Sequence, residues 1–337
     1  MRKLRFSIFF AAMTFAASAA ADPSFVPALK TNFPDAFVLP HGGEFIAYST
    51  NDGANVPVAT SRNLATWTVL ADPADPRRKY DAMPHLGSWA KEGFTWAPEV
   101  LELNGKYLLY YTASDRRENM QCVGVAVAAD PKGPFVDANP GPIVCQTKLG
   151  GTIDASPFKD ADGSLYLYFK NDGNRVHART ALYGQRLAPD GMSAVGEPQE
   201  LLKDNEGWEE RVIEAPTMVR APTGYALFYS GGFFGWNENE GGLSPYAMGY
   251  ATCSSPLGPC TPSKANPVLH SFKDKDAGCL SGPGHQSIFN AAGHTFISFH
   301  AWAATSACRK APEDARYLYV APLFWKNGQP TLGPSMR

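Results

Sequence analysis

The feature that most constrains this chain is a hairpin pattern that returns about every 60 residues. Asp35-Ala36-Phe37-Val38-Leu39 passes through Gly42-Gly43 into Phe45-Ile46-Ala47-Tyr48. Trp96-Ala97-Pro98-Glu99-Val100 passes through Gly105 into Tyr107-Leu108-Leu109-Tyr110-Tyr111. Asp154-Ala155-Ser156-Pro157-Phe158 passes through Gly163 into Leu165-Tyr166-Leu167-Tyr168-Phe169, and Glu214-Ala215-Pro216-Thr217-Met218 through Gly224 into Tyr225-Ala226-Leu227-Phe228-Tyr229. A looser fifth copy runs from Gly284-His285-Gln286-Ser287 through Gly293 to Phe296-Ile297-Ser298-Phe299, delayed by an insertion that contains Cys279. Each copy reads as strand, glycine turn, strand. Further strands follow within each period, for example Cys122 to Ala128 and Ala247 to Thr252. No segment holds a helical i, i+3, i+4, i+7 stripe for three turns. The 31 Gly and 28 Pro, with 12% aromatic residues, fit many short strands joined by tight turns. Four strands per repeat and five repeats predict an all-β, five-bladed β-propeller, whereas a β-sandwich requires no repeat at this period. Arg316 to Trp325 reads as one more strand, completing the last blade or closing the ring.

The N-terminus has a different character. Arg2, Lys3 and Arg5 precede an apolar run from Phe6 to Phe15, then small residues to Ala21 and a polar turn at Asp22. That order predicts a signal peptide over residues 1–21, cut near Ala19 or Ala21, and a catalytic propeller over 22–337. The apolar run is shorter than the roughly 20 residues of a membrane span, so the mature protein is expected to be secreted or periplasmic and off the membrane. Six cysteines suit an oxidising compartment. Six allow fifteen pairings, which sequence does not resolve. The expected pairing is local: Cys122 with Cys145, Cys253 with Cys260, Cys279 with Cys308. None forms a Cys-x-x-Cys pattern, which argues against a thiolate metal site. A net charge of −2 without a basic block gives nucleic acid no electrostatic foothold.

In a propeller, residues that open the innermost strand of each blade meet at one end of the axial channel. Here they are Asp35, Trp96, Asp154, Glu214 and Gly284. A lone Asp at a strand start usually serves a turn. Three acids brought together in a partly desolvated funnel repel one another and acquire unequal pKa values, a cost usually retained for function. Two carboxyls in different protonation states are what glycoside hydrolysis demands. Trp96 beside them offers a flat face to a sugar ring, or packs as core.

Asp35 after Phe33-Pro34, Trp96-Ala97-Pro98, Ile153-Asp154-Ala155-Ser156-Pro157-Phe158, Ile213-Glu214-Ala215-Pro216 and Gly282-Pro283-Gly284-His285 together resemble glycoside hydrolase family 43. That family includes β-xylosidases, α-L-arabinofuranosidases and endo-arabinanases. The resemblance implies an inverting hydrolase of arabinose- or xylose-containing oligo- and polysaccharides that requires no cofactor. Asp35 would be the general base, Glu214 the general acid, and Asp154 the residue that tunes and positions Glu214. Arg316 matches a sugar-binding arginine, and a surface ion pair is its ordinary role. His285 matches a histidine that in some members helps hold a calcium ion in the channel, although one histidine alone is poor calcium chemistry. Glu99 stands where the family usually has aspartate, at a position that is not catalytic. The loop Phe233 to Glu240 is rich in aromatics and acids and follows the blade of Glu214, where it is expected to shape subsites. No C-terminal β-sandwich is recognisable, which sets the chain apart from the longer xylosidases. A retaining fructosyl enzyme would carry Arg-Asp-Pro around its stabilising acid, and Asp154 has Ile153 and Ala155 instead. A lectin-like propeller would repeat its binding residues in each blade, whereas these blade-opening residues differ. The bulky loop and Trp96 favour a walled, exo-acting pocket; endo-arabinanase is the alternative.

Overall fold

The computed structural model describes residues 24–236, 242–275 and 277–336. The signal-peptide reading of residues 1–21 lies outside them, as does the Asn237–Glu240 part of the acidic loop. Five antiparallel sheets follow in chain order. Blade I holds β1 (Phe37–His41), β2 (Glu44–Tyr48), β3 (Val58–Ser61) and β4 (Thr68–Val69). Blade II holds β5 (Ala90–Leu103), β6 (Lys106–Asp115) and β7 (Gln121–Ala128). Blade III holds β8 (Thr152–Lys159), β9 (Leu165–Asn171), β10 (Ala181–Leu187) and β11 (Ala194–Lys203). Blade IV holds β12 (Ile213–Arg220), β13 (Tyr225–Gly231), β14 (Ala247–Cys253) and β15 (Cys260–Pro262). After a small hairpin, β16 (Phe272–Asp274) and β17 (Gly278–Leu280), blade V holds β18 (Gly284–Ala291), β19 (His294–Trp302), β20 (Arg316–Lys326) and β21 (Gln329–Leu332). Among the described residues the helical segments are short 3-10 turns. The expected five-bladed propeller is observed.

Second strands explain the near-continuous apolar runs. A strand sends successive side chains to opposite faces, and here both faces are covered by neighbouring blades. In β6, Leu109 and Tyr111 pack towards Ile46 and Tyr48 of blade I, while Leu108 and Tyr110 pack towards Leu167 and Phe169 of blade III. In β9, Tyr166 and Tyr168 face Leu227 and Tyr229 of blade IV. In β13, Phe228 faces Ile297 and Phe299 of blade V. Phe289, Phe296 and Leu318 close the circuit on Val38 and Ala47. Each blade interface thus owns an apolar cluster.

Blade II departs from the expected four strands. Its outer edge is covered only by isolated bridges, Val123 with Val144 and Val127 with Val136. The covering segment carries Pro131, Pro134, Pro140 and Pro142, which lack the N–H a continuous ladder requires. The Cys122–Cys145 disulfide fastens this edge, and Cys253–Cys260 and Cys279–Cys308 complete the local pairing expected from sequence.

Arg316–Lys326 is the third strand of blade V, and it also closes the ring. Ala28 N–H and Leu29 N–H donate to Leu318 O, and Phe33 N–H donates to Arg316 O at 2.9 Å. Asn32 Oδ1 accepts from Arg316 N–H at 3.1 Å. The N-terminal segment therefore zips the start of blade I to the end of blade V, with Phe33 fully buried at the seam. Phe33→Ala is expected to cost about 3–5 kcal/mol, read as a lower urea midpoint with an unchanged slope.

Candidate active site

Every first strand is broken by the same irregularity. The pairing register slips by one between Trp96 and Glu99, Ile153 and Ser156, Glu214 and Thr217, and Gly284 and Ser287. In blade I, Thr50 N–H donates to Pro34 O, one register off the Phe37–Tyr48 pair. At each slip one residue takes positive φ: Asp35 (57°), Ala97 (43°), Asp154 (59°), Ala215 (52°) and His285 (51°). Such bulges re-aim side chains, and non-glycine residues in this region are strained. Rotational equivalence is therefore finer than the sequence repeat suggested. Asp35 and Asp154 occupy the bulge position itself, whereas Trp96, Glu214 and Gly284 stand one residue before it.

The strain is held by a ring of hydrogen bonds. In every blade but one, the second-strand residue paired with the position just before the bulge receives the bulge N–H of the next blade. Ala97 N–H donates to Thr50 Oγ1 at 2.9 Å, Asp154 N–H to Thr112 Oγ1 at 3.2 Å, His285 N–H to Ser230 Oγ at 2.8 Å, and Asp35 N–H to His300 Nδ1 at 3.1 Å. Blade III is the exception. Its equivalent residue is Lys170, which has no acceptor, and Ala215 N–H donates instead to Asp154 Oδ2 at 2.9 Å.

Three carboxylates converge on this ring in unlike surroundings. Asp35 accepts from Thr50 Oγ1 at 2.5 Å and from Arg316 Nη1 at 3.1 Å, with His285 Nδ1 at 3.4 Å. Burial pushes its carboxyl up, but the Arg316 and His285 charges outweigh that and hold it well below the usual range. Glu214 accepts from Lys170 Nζ at 2.8 Å on Oε2 and from Tyr246 Oη at 2.7 Å on Oε1. Burial again raises it, and the Lys170 charge and hydrogen bond, with Tyr246, bring it below the ordinary value. Asp154 goes the other way. Burial and the Glu214 charge, only partly offset by His285 and Lys170, push it up to about 6. Of these two neighbouring carboxyls, Asp154 is therefore the one that keeps a proton to higher pH. Glu99, two residues past the blade II bulge, lies beside Ser156 and Asp154 and is pushed up to about 8 by burial, a neutral acid in the channel wall.

The other expected residues also reach this end of the channel or its rim. Arg316 lies over the rings of Phe234 (5.3 Å) and Trp302 (5.9 Å), and Trp302 Nε1–H donates to Phe234 O at 2.8 Å. The described part of the aromatic loop is thus tied to blade V beside Asp35. Trp96 is half-buried with Phe94 edge-on at 6.5 Å. Asp154, Glu214 and His285 offer ligand atoms within 4.8 Å of one another, the one group among the described residues spaced for a cation. It does not fit calcium: an ammonium already occupies one Glu214 oxygen and a hydroxyl the other, and imidazole is a poor calcium ligand. Sequence reasoning passed over Thr50, Lys170, Tyr246, His300 and Trp302. Aligning the second strands would have exposed Thr50, Thr112, Lys170, Ser230 and His300 as one polar position inside apolar runs. Tyr246 and Trp302 carried no repeat signal.

Gly284 shows how tightly the support of Glu214 is packed. A Cβ there would lie 2.0 Å from the Tyr246 ring, whose hydroxyl holds Glu214. Gly284→Ala is expected to displace that ring and lower stability by about 1–3 kcal/mol, with the loss of near-UV tyrosine signal as the structural readout.

A propeller with three buried carboxylates of unequal ionisation, an arginine and flanking aromatic rings at one end of its axis has the architecture of a propeller glycoside hydrolase. The chain belongs to glycosyl hydrolases family 43, which it matches over residues 26–330. It is 31% identical over 258 residues to the beta-D-galactofuranosidase xynD of Aspergillus niger, covering 72% of this chain and 64% of that one. It is 27% identical over 292 residues to the arabinoxylan arabinofuranohydrolase of Bacillus subtilis, covering 79% and 52%. It is 25% identical over 336 residues to the extracellular endo-alpha-(1->5)-L-arabinanase 1 of Bacillus subtilis, covering 95% and 94%. The chain thus spans only 64% and 52% of the length of the first two of these relatives. A solved thermostable family-43 glycoside hydrolase superposes with a TM-score of 0.77 at 25% identity, over 93% of this chain and 97% of that one.

Proposed function

We propose that this protein hydrolyses terminal arabinofuranosyl or xylosyl residues from pentose-containing plant polysaccharides or oligosaccharides, with inversion at the anomeric carbon. The observation that carries this reading is three carboxyls gathered at one end of the channel with unlike partners: Thr50 and Arg316 on Asp35, Lys170 and Tyr246 on Glu214, a lone backbone amide on Asp154. An anionic Asp35 is suited to take a proton from water, and the Asp154–Glu214 pair keeps one proton up to about pH 6, which Glu214 passes to the leaving oxygen. Arg316, lying over the Phe234 and Trp302 rings, aligns Asp35 and offers donors to sugar hydroxyls. The link between Phe234 and Trp302 walls one side of the site, which supports exo action. Three disulfides and the extracellular arabinanase relative support export by the N-terminal signal.

Endo-arabinanase action is the second reading, favoured by the near full-length match to the Bacillus subtilis arabinanase. Aryl arabinofuranosides and xylosides, assayed beside linear arabinan and xylan with product lengths recorded, separate the two. Exo action releases monosaccharide only, and endo action yields a ladder of oligomers. Glu214→Ala is expected to lower turnover by about 100-fold or more while substrate still binds; activity within a few-fold of the parent would reject it as the acid. Proton NMR of the first-formed anomer tests inversion.

The base has its own signature. Arg316 is the foremost charge lowering Asp35, so its loss leaves burial less opposed and raises that carboxyl. A base must be ionised to work. Arg316→Ala is therefore expected to move the acidic limb of kcat/KM to higher pH, together with a weaker KM; an unmoved limb would argue against Asp35 as the base.

A further inference from the structure

The second-strand ring has one member that breaks its chemistry, and it breaks it beside the acid. Thr50, Thr112, Ser230 and His300 each accept the following blade's bulge N–H. Lys170 occupies the same register, paired with Ile153 as Thr112 is with Trp96, Ser230 with Glu214 and His300 with Gly284. Its side chain is fully buried, and its ammonium meets Glu214 Oε2 at 2.8 Å. Two consequences follow from one substitution of type. Ala215 N–H, deprived of a neighbouring acceptor, turns to Asp154 Oδ2. Glu214, with Tyr246 on its other oxygen, accepts on both. A buried lysine is expensive unless paired, and any small hydroxyl would satisfy the ring more cheaply.

We propose that Lys170 is a positioning residue for the Asp154–Glu214 pair, its ammonium on Glu214 Oε2 opposite the Tyr246 hydroxyl on Oε1 keeping Glu214 a carboxylate until the glycosidic oxygen is in place. This rests on Glu214 being the proton donor. In one turnover the pair surrenders its proton to the leaving alcohol, water gives its own to Asp35 as its oxygen bonds the anomeric carbon, and the glycosidic bond breaks. The pair is left as two carboxylates beside one ammonium. The charged or titratable groups facing the pair are Glu99 from β5, Lys170 itself from β9, Asp172 just beyond it, Tyr246 before β14 and His285 from β18. Asp172 lies beside Arg175 as well as Lys170. Burial opposes the ammonium, but Glu214 and Asp154 outweigh it and keep it charged.

The test compares Lys170→Thr, which restores the hydroxyl found in the other blades, with Lys170→Met, which keeps the volume without charge. Removing a positive charge raises both carboxyls of the pair, and the acid must be protonated to work. The alkaline limb of kcat/KM is therefore expected to move up by about one unit or more in both variants. At the optimum, turnover of an alkyl glycoside should fall by about tenfold, while a dinitrophenyl glycoside, whose leaving group needs no proton, should change by less than about threefold. Lys170→Arg, retaining the charge, should hold the limb at the parent position. An unmoved limb in folded Lys170→Thr and Lys170→Met protein, with equal losses on both substrates, would overturn the proposal and leave Lys170 a packing residue. Glu214→Ala separates the two levels. If it stays active the acid assignment falls; if it is inactive and the limb stays put, only the role of Lys170 falls.

Discussion

Each blade's inner strand is bent by one residue at positive φ, and the preceding blade catches the amide that the bend exposes. Without the bend, strand alternation would send Asp35 and Asp154 to other directions; without the captured amide, a buried unpaired N–H would add to the backbone strain. The catch is made between blades rather than within them, so the site and the ring close together. The N-terminal segment completes this by pairing with the strand that begins at Arg316, which brings the Arg316 guanidinium onto Asp35.

Unequal partners then divide the carboxyls. All three are buried, and burial alone would raise all three. Asp35 has the Arg316 and His285 charges beside it, and Glu214 has an ammonium and a phenol. Asp154 has a single backbone amide on one oxygen, and His285 and Lys170 only partly offset its burial and the Glu214 charge. Asymmetry among five topologically equal blades is what converts a symmetric scaffold into a single directional site. Lys170 is where that asymmetry is greatest, since it stands where the other blades keep a hydroxyl or an imidazole.

Much of this was legible in the sequence, for a physical reason. Blade repetition writes itself as hairpins of fixed period because both faces of every second strand are buried against neighbours, which leaves runs such as Tyr107 to Tyr111 unmistakable. Asp35, Asp154 and Glu214 stood out because they open those repeats. What the sequence blurred was one residue of register. A bulge leaves no composition signal when its positive-φ residue is Ala97 or Ala215 rather than glycine, so Glu214 was aligned with Asp35 although it stands one place earlier. The three-stranded blade II was hidden likewise, since its prolines read as ordinary turns. Lys170 lay in an apolar strand, and its partner Glu214 is 44 residues away, a contact only the folded ring makes.

Rotational placement gives three clustered carboxyls separate ionisation states. Carbon-13 NMR of protein labelled at the Asp and Glu carboxyl carbons, titrated across the acidic and neutral range and assigned with Asp35→Asn, Asp154→Asn and Glu214→Gln, measures those states directly. The Asp154 carbon is expected to titrate at about 6 while Asp35 and Glu214 stay ionised to lower pH than free carboxylates. Three carbons titrating together at the ordinary carboxylate value would contradict it.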